Sequence, residues 1–325
     1  MKKKMICLVG LAFLSGAVVM GQNTNRARNE AEFGEGFYVR FGGGYSFGAG
    51  KTGQLDALNM PGCNYSEMDD DGDETFTQKR KAFSLGQGVD LMIGAGYMFT
   101  PYIGIDLSFS TVFGSPAKAT YKSSSIYRYE SSGNISANIQ RTSTEETLYK
   151  LGYSGFYLTP AVRLCVPVSG RFSLYSRIGV ALPVYQSARY STEETVSSTY
   201  RGHSDIFDDR NDYNQSSRSS SIRAARLDAY FRPGFNAVLG VDIAIGQHLG
   251  VYAEVEAMVQ SFAVKRSTLV EYIEDGDNLL SSIDPEDRVH EYVRKIDQDT
   301  PGDPEISYNI PANSIGINIG IVYRF

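Results

Sequence analysis

The sequence predicts an all-β fold: an eight-stranded antiparallel up-and-down transmembrane β-barrel with four long extracellular loops and three short periplasmic turns. Three observations predict it. Eight segments alternate between an apolar face and a small or polar one; their connections alternate between long and two-residue; and the chain stops inside the last alternating segment, SIGINIGIVYRF (314–325), instead of in a polar tail.

The first element is MKKKMICLVGLAFLSGAVVMG (1–21), a lysine start, a short apolar core and small residues before Gln22, which reads as a secretory signal peptide. Cys7 lies inside that core, away from the cut, so it is not a lipid-attachment cysteine. Removing Lys2, Lys3 and Lys4 from the 31 basic residues leaves 28 against 37 acids, a mature net charge of −9, which argues against nucleic acid as a partner. Residues 22–35 form a short periplasmic segment and 36–325 the barrel, with no apolar window after Gly21 long enough for a membrane helix.

The strands follow in order at about 36–47, 89–99, 102–113, 153–168, 171–184, 230–246, 249–264 and 314–325. The first sets Phe37, Val39, Phe41, Tyr45 and Phe47 against Tyr38, Arg40, Gly42, Gly44 and Ser46. The second sets Leu91, Ile93 and Phe99 against Asp90, Gly94 and Gly96; the third Ile103, Ile105 and Leu107 against Gly104, Asp106 and Ser108. In the fourth, Leu158, Val162 and Leu164 oppose Thr159, Arg163 and Cys165; in the fifth, Leu174, Ile178 and Val180 oppose Ser173, Tyr175 and Arg177. The sixth opposes Phe235, Leu239 and Ile243 to Arg232, Asn236 and Asp242, and the seventh Val251, Val255 and Val259 to Glu254, Glu256 and Gln260. Such lengths suit tilted spanning strands, which need about 9–11 residues to cross the hydrocarbon.

Thr100-Pro101, Ser169-Gly170 and Gln247-His248 are the short connections, whereas about 48–88, 114–152, 185–229 and 265–311 are long. A soluble sandwich would have short loops at both ends and no reason for charges at mid-strand on the non-apolar face.

With these features in place, the chain resembles small outer-membrane barrels of the OmpA/OmpX type. In that group a C-terminal aromatic with apolar residues at every second upstream position is read by the barrel-assembly machinery, and Ile317, Ile319, Ile321, Tyr323 and Phe325 match that pattern. The resemblance implies an outer-membrane location in a Gram-negative bacterium, with outer-membrane lipid and lipopolysaccharide around the barrel. It departs in ending with its last strand, without the periplasmic peptidoglycan-binding domain of OmpA, which removes support for a wall-anchoring role.

The inward ionisable residues are Arg40, Asp90, Asp106, Arg163, Arg177, Arg232, Asp242, Glu254, Glu256 and Arg324, five of each sign. Unpaired buried charge is costly, so this balance predicts salt bridges across the lumen. Eight strands enclose only room for side chains, which favours a packed interior and small conductance; a selectivity filter or gated pore is the alternative. Cys165 points inward near the periplasmic end while Cys63 lies in the first loop, so two free thiols are expected.

In the loops, EMDDDGDE (67–74) offers Glu67, Asp69, Asp71 and Asp73 as weak cation ligands, but Gln78 stands where an EF-hand needs its bidentate glutamate. STEET occurs at 143–147 and 191–195, at similar heights above the turn at Ser169-Gly170; like charges there would repel unless bridged by a cation. DPEDRVHEYVRKI (284–296) predicts a short helix from Asp284 as N-cap, Pro285 at the first position and Val289, Val293 and Ile296 on one stripe.

Some small barrels are lipid hydrolases, but the only histidines are His203, His248 and His290, in loops or a turn, and His203-Ser204-Asp205 are neighbours in sequence without a relay geometry on that account. No cofactor and no catalytic residue is assigned. The sequence therefore predicts a non-enzymatic surface-interaction or envelope-integrity role through polar loops, with a small pore as the alternative and a lipid A hydrolase as a distant one.

Overall fold

The computed structural model describes residues 35–50, 64–68, 74–78, 84–131, 137–204, 211–296 and 305–325; the segment 1–21, expected to be a signal peptide, and nearly all of 22–35 lie outside them. Eight strands form a closed ring: β1 (Gly36–Gly48), β2 (Gly88–Met98), β3 (Ile103–Gly114), β4 (Ala137–Ser169), β5 (Phe172–Ser204), β6 (Gly234–Ala244), β7 (Leu249–Val259) and β8 (Ser314–Arg324). Each pairs antiparallel with the next, and β8 returns to β1 from Tyr38↔Arg324 to Gly48↔Ser314, which leaves the ring no open edge.

Burial follows the alternation of the sequence. Along β2 and β3 buried and exposed positions alternate, because successive side chains leave opposite faces of a strand. The exposed set is a continuous apolar belt: Phe41 57%, Ile93 57%, Leu239 51%, Val255 50% and Ile319 66% exposed. A ring that turns its polar groups inward and its isoleucines outward is inverted relative to a water-soluble domain.

Three expectations about the elements need correction. First, the segments drawn at 230–246 and 249–264 are each broken. Pro233 has no N–H to give to a ladder, and Phe231-Arg232-Pro233 separates β6 from a preceding strand, Asn211–Tyr230. On the neighbouring strand the break falls at Gln260, whose Nε2 donates to Arg232 O at 2.8 Å and whose backbone N–H donates to Asn313 Oδ1 at 2.9 Å. Beyond it, Ser261–Glu274 leaves the ring and pairs with Asn211–Tyr230 instead of β8. The two breaks sit at one corner, held by one glutamine.

Second, the long connections are not structureless. β4 and β5 are each 33 residues, about twice the predicted span, and pair from Ala137↔Ser204 to Ser169↔Phe172 with two register shifts and a skip at Thr159-Pro160, where the proline has no N–H to give. With Ala117–Ser131, Asn211–Tyr230 and Ser261–Glu274 they build a polar antiparallel sheet beyond the ring. Ser, Thr, Tyr and Arg fill both faces of it, so the apolar alternation that marks a half-buried strand is missing there.

Third, 284–296 is not a helix. A 3-10 turn at Leu280–Ser282 is followed by a turn in which Asp287 N–H donates to Asp284 O at 3.0 Å. Val289–Val293 is then a strand, paired with Ser261–Glu274 through Arg266↔Glu291 and Thr268↔Val289. An isolated helix this short is marginal, whereas a sheet edge offers backbone partners at once and suits the β-branched Val289 and Val293. Arg288 fixes the turn by donating to Ile283 O at 2.9 and 2.6 Å.

Candidate functional site

The candidate site is the interior of the ring, where the polar strand faces converge. Arg40 of β1 donates to Asp106 of β3 at 2.8 Å and lies 3.5 Å from Glu254 of β7. Arg177 of β5 reaches the same two carboxylates, Asp106 at 3.3 Å and Glu254 at 2.7 Å. Tyr38 donates to Asp106 at 2.8 Å and Tyr175 to Glu254 at 2.6 Å, which satisfies further carboxylate lone pairs. All four charged side chains have 2% exposure or less. Two arginines and two acids from four strands thus cross-brace the wall.

Space for these large groups comes from missing ones. A Cβ on Gly94 would stand 2.9 Å from Arg40 Nε, and one on Gly240 would stand 2.5 Å from the Tyr175 ring. The arginine and the tyrosine lie flat against wall positions that only glycine leaves open.

Toward the strand ends joined by short turns lies a second group. Arg163 and Arg324 both pair with Asp242, Arg324 at 3.2 Å, and Arg163 Nε donates to Cys165 Sγ at 3.3 Å. The Arg163 guanidinium stacks between Tyr175 at 4.2 Å and Tyr38 at 4.9 Å, which links this group to the quartet. A cavity of about 130 Å³ opens here, lined by Tyr38, Arg163, Cys165, Asp242 and Arg324 among others.

Toward the polar sheet, the third group is acidic. Asp90 accepts from Ser46, and Glu256 accepts from Asn236 and from Asn318 at 2.7 Å. Neither has an ion pair among the described residues. Beyond them the mouth is filled: Leu85, Phe262, Val264, Ile310 and Ala312 pack against Leu151, Tyr153, Tyr157 and Met258, each at most 6% exposed. Backbone bonds from Leu85 N–H to Pro311 O at 3.0 Å and from Ala312 N–H to Gln260 O at 2.9 Å pin this plug to the corner.

Of the ten predicted lumen residues, seven therefore join ion pairs, Asp90 and Glu256 are each held by hydroxyl or amide donors, and Arg232 stands apart. Its carbonyl binds Gln260 within the break that separates it from β6, so it loses the inward register assumed for it. Tyr38, Tyr175, Asn236 and Asn318, inward by the same parity, join these groups as hydrogen-bond donors beyond the ten charged residues.

The C-terminal set faces outward as expected: Ile317, Ile319, Ile321, Tyr323 and Phe325 are all exposed. Phe325 N–H donates to Phe37 O at 3.0 Å and its ring lies 5.4 Å from that of Phe37, so the last residue closes the seam. Cys165 is a buried free thiol, whereas Cys63, Asp69, Asp71 and Asp73 lie outside the described residues and of Glu67 only the strand Asn64–Met68 is described.

The two STEET runs do overlap in register, at Glu146↔Thr195 and Thr147↔Glu194. Lysines relieve the repulsion there: Lys122 lies 2.9 Å from Glu146, and Lys150 pairs with Glu193. His248 stacks on Tyr323 and bonds Arg324 O at 2.8 Å, and His290 lies 3.3 Å from Glu305; among the described residues no serine hydroxyl is hydrogen-bonded to a histidine. The side chain of His203 is outside the description.

No family model matches the chain, and no curated protein matches it. Among solved structures it is similar to Acinetobacter baumannii CarO2, at 12% identity over 89% of this chain and 99% of that one, with a TM-score of 0.25. It is also similar to a Pseudomonas aeruginosa FadL homologue, at 7% identity over 89% of each chain, with a TM-score of 0.16. At those scores neither likeness carries an argument.

Proposed function

We propose that the chain is an integral outer-membrane barrel without an open pore, whose work is done by the polar sheet it raises outside the cell. The exposed apolar belt supports a lipid surrounding, since a contiguous apolar band of this extent has no place in water. The alternating short and long connections support an orientation with the short turns and both ends of the ring on the periplasmic side and the long strands outside. The N-terminal lysine-led apolar stretch supplies export, and the outward Ile317-to-Phe325 pattern supplies recognition by the assembly machinery.

One observation carries the closed-lumen reading: an ion passing along the axis would have to break the Arg40–Asp106–Arg177–Glu254 brace and then cross the Phe262–Val264–Ile310 plug. Neither is a ring of charges around a hole, which a selectivity filter requires. The outer sheet, by contrast, is built for contact: residues 214–220 are exposed on both faces, and Arg141 over Tyr200, Arg223 over Tyr272 and Arg294 over Tyr230 present stacked cation–aromatic pairs. Such surfaces suit binding to other macromolecules or to lipopolysaccharide sugars and phosphates.

The test is planar-bilayer recording on refolded protein beside surface-digestion of whole cells. Brief, rare openings together with cleavage at the sheet by external protease are expected. Large steady openings would replace this reading with the pore, and a change in lipid A mass on expression would replace it with the hydrolase.

A further inference from the structure

The outer face of the polar sheet gathers arginines just above the apolar belt. In the register, Arg189 of β5 stands directly opposite Arg226, while Arg266 is opposite Asp228, the next position on the same face of the Arg226 strand. Tyr190 and Leu227, their neighbours in the chain, pack into the plug, so Arg189 and Arg226 leave the other face of the sheet, away from the axis. Their side chains are 61% and 53% exposed, and that of Arg266 is 42% exposed.

Local acids do not satisfy this group. Like charges directly opposite on neighbouring strands repel. Arg189 pairs with Glu271 at 2.7 Å, and Arg266 donates to Asp228 Oδ2 at 3.1 and 3.3 Å. Arg226 has only what is left: its Nε lies 3.6 Å from Asp228 Oδ1, beyond hydrogen-bond range. Three guanidiniums thus share two carboxylates, in a chain whose net charge is −6. The middle one has no hydrogen-bonded anion among the described residues.

Height decides what meets it. On β5 the belt ends at Val184 and Tyr185, 65% and 50% exposed, four residues before Arg189. At about 3.3 Å per residue and a strand tilt of about 40°, Arg189 stands about 10 Å above that edge. A long arginine stem leans down from there to the level of lipid headgroups.

We propose that Arg189, Arg226 and Arg266 bind the phosphate of an outer-leaflet lipid, the phosphorylated sugar headgroup of lipid A, against the outside of the barrel. Guanidinium forks match phosphate oxygens two at a time, and an anion between Arg189 and Arg226 turns their repulsion into a bridge. The inference rests on the reading of the belt as lipid-facing and names one partner for the sheet above it.

The refolded chain is first floated with phosphatidylcholine vesicles; failure to float would overturn the membrane reading and this site with it. Native mass spectrometry from detergent then counts lipid A retained by wild type, by Arg226→Gln and by the Arg189→Gln, Arg226→Gln double variant. Arg226→Gln should bind lipid A about tenfold more weakly than wild type, and the double variant more weakly still. Dephosphorylated lipid A should bind wild type no better than lipid A binds the double variant. Arg218→Gln, on the exposed stretch of the same strand, should retain lipid A as wild type does. Thermal unfolding gives a second readout. In phosphatidylcholine alone, Arg226→Gln relieves the opposed charges and should unfold at or slightly above the wild-type temperature; with lipid A added, wild type should become the more stable. Equal retention by wild type and the double variant, equal binding of the dephosphorylated lipid, or release of lipid A by millimolar inorganic phosphate each overturns the proposal. The first of these is also the result if the arginines serve an acidic protein instead.

Discussion

Replacing Glu254 by glutamine keeps the shape of the lumen brace and removes one of its four charges. Glu254 faces Arg177 at 2.7 Å and Arg40 at 3.5 Å, with side chains at most 2% exposed. At an effective dielectric near 20 those separations correspond to gross attractions of about 6 and about 5 kcal/mol. Most is offset by the desolvation that Glu254 no longer suffers and by relief of its repulsion with Asp106, so the net loss is that of breaking a buried pair, about 3–5 kcal/mol. Two arginines would share one carboxylate, and the Tyr175 hydroxyl would lose its charged acceptor. The comparison is Glu271→Gln, which breaks the Arg189 pair at 2.7 Å on the outer sheet; there the side chains are 61% and 35% exposed and the loss is at most about 1 kcal/mol. Urea unfolding in lipid vesicles, followed by far-UV circular dichroism because the chain has no tryptophan, measures both. If Glu254→Gln lies as close to wild type as Glu271→Gln, the brace is hydrated and the closed-lumen argument fails. A Glu254→Leu, Arg177→Met double variant should recover much of the loss, since an apolar pair leaves no orphaned ion.

Other outcomes can be stated more briefly. Gly94→Val places a side chain against Arg40 Nε and should cost about 1–3 kcal/mol in the same unfolding assay, whereas substitution at Gly246, where no atom lies within 4 Å, should be near neutral. Cys165 in a Cys63→Ser background should resist maleimide in the folded protein and react fully in urea. Deleting Phe325 removes the backbone bond to Phe37 and should lower the folded fraction in the outer membrane, read as the heat-modifiable band on gels. On the outer sheet, burial and the adjacent Tyr292 hold the Tyr308 hydroxyl above the ordinary tyrosine range. An unfolded tyrosine ionises near about 10, so this contribution is intact below that pH and is lost as pH rises above it; Tyr308→Phe should flatten the alkaline decline in amide-exchange protection of that corner.

The ring was legible because one physical signal repeats in it. Wherever a strand has unlike surroundings on its two faces, residues such as Ile319 and Asn318 must alternate, and the period of two can be read directly. The same signal placed Arg40, Asp106, Arg177 and Glu254 inside, and charge balance implied that they pair. It could not say that they form a single brace, because cross-lumen partners depend on the stagger of the ring and not on sequence distance. Above the ring the surroundings of the two faces become alike, so Ser217 and Arg218 follow no pattern and the strand Asn211–Tyr230 was read as loop. The helix at 284–296 failed for the complementary reason: its cap and stripe were genuine local signals, but the edge at Arg266–Thr268 offered a long-range partner that no local pattern reveals.

The length of β4 and β5 has a mechanical consequence. At about 3.3 Å per residue a strand of 33 residues is about 110 Å long, and the hydrocarbon uses only about 9–11 of those residues. The remainder is a lever continuous with the wall, its ladder running from the tip to the periplasmic turn with shifts at Phe156/Tyr157 and Pro167/Ser169 and a skip at Thr159-Pro160. Whatever grips the tip pulls along the strand axes, which loads many backbone hydrogen bonds together in shear instead of opening them one at a time. A contact made far from the lipid surface is therefore anchored by the barrel itself.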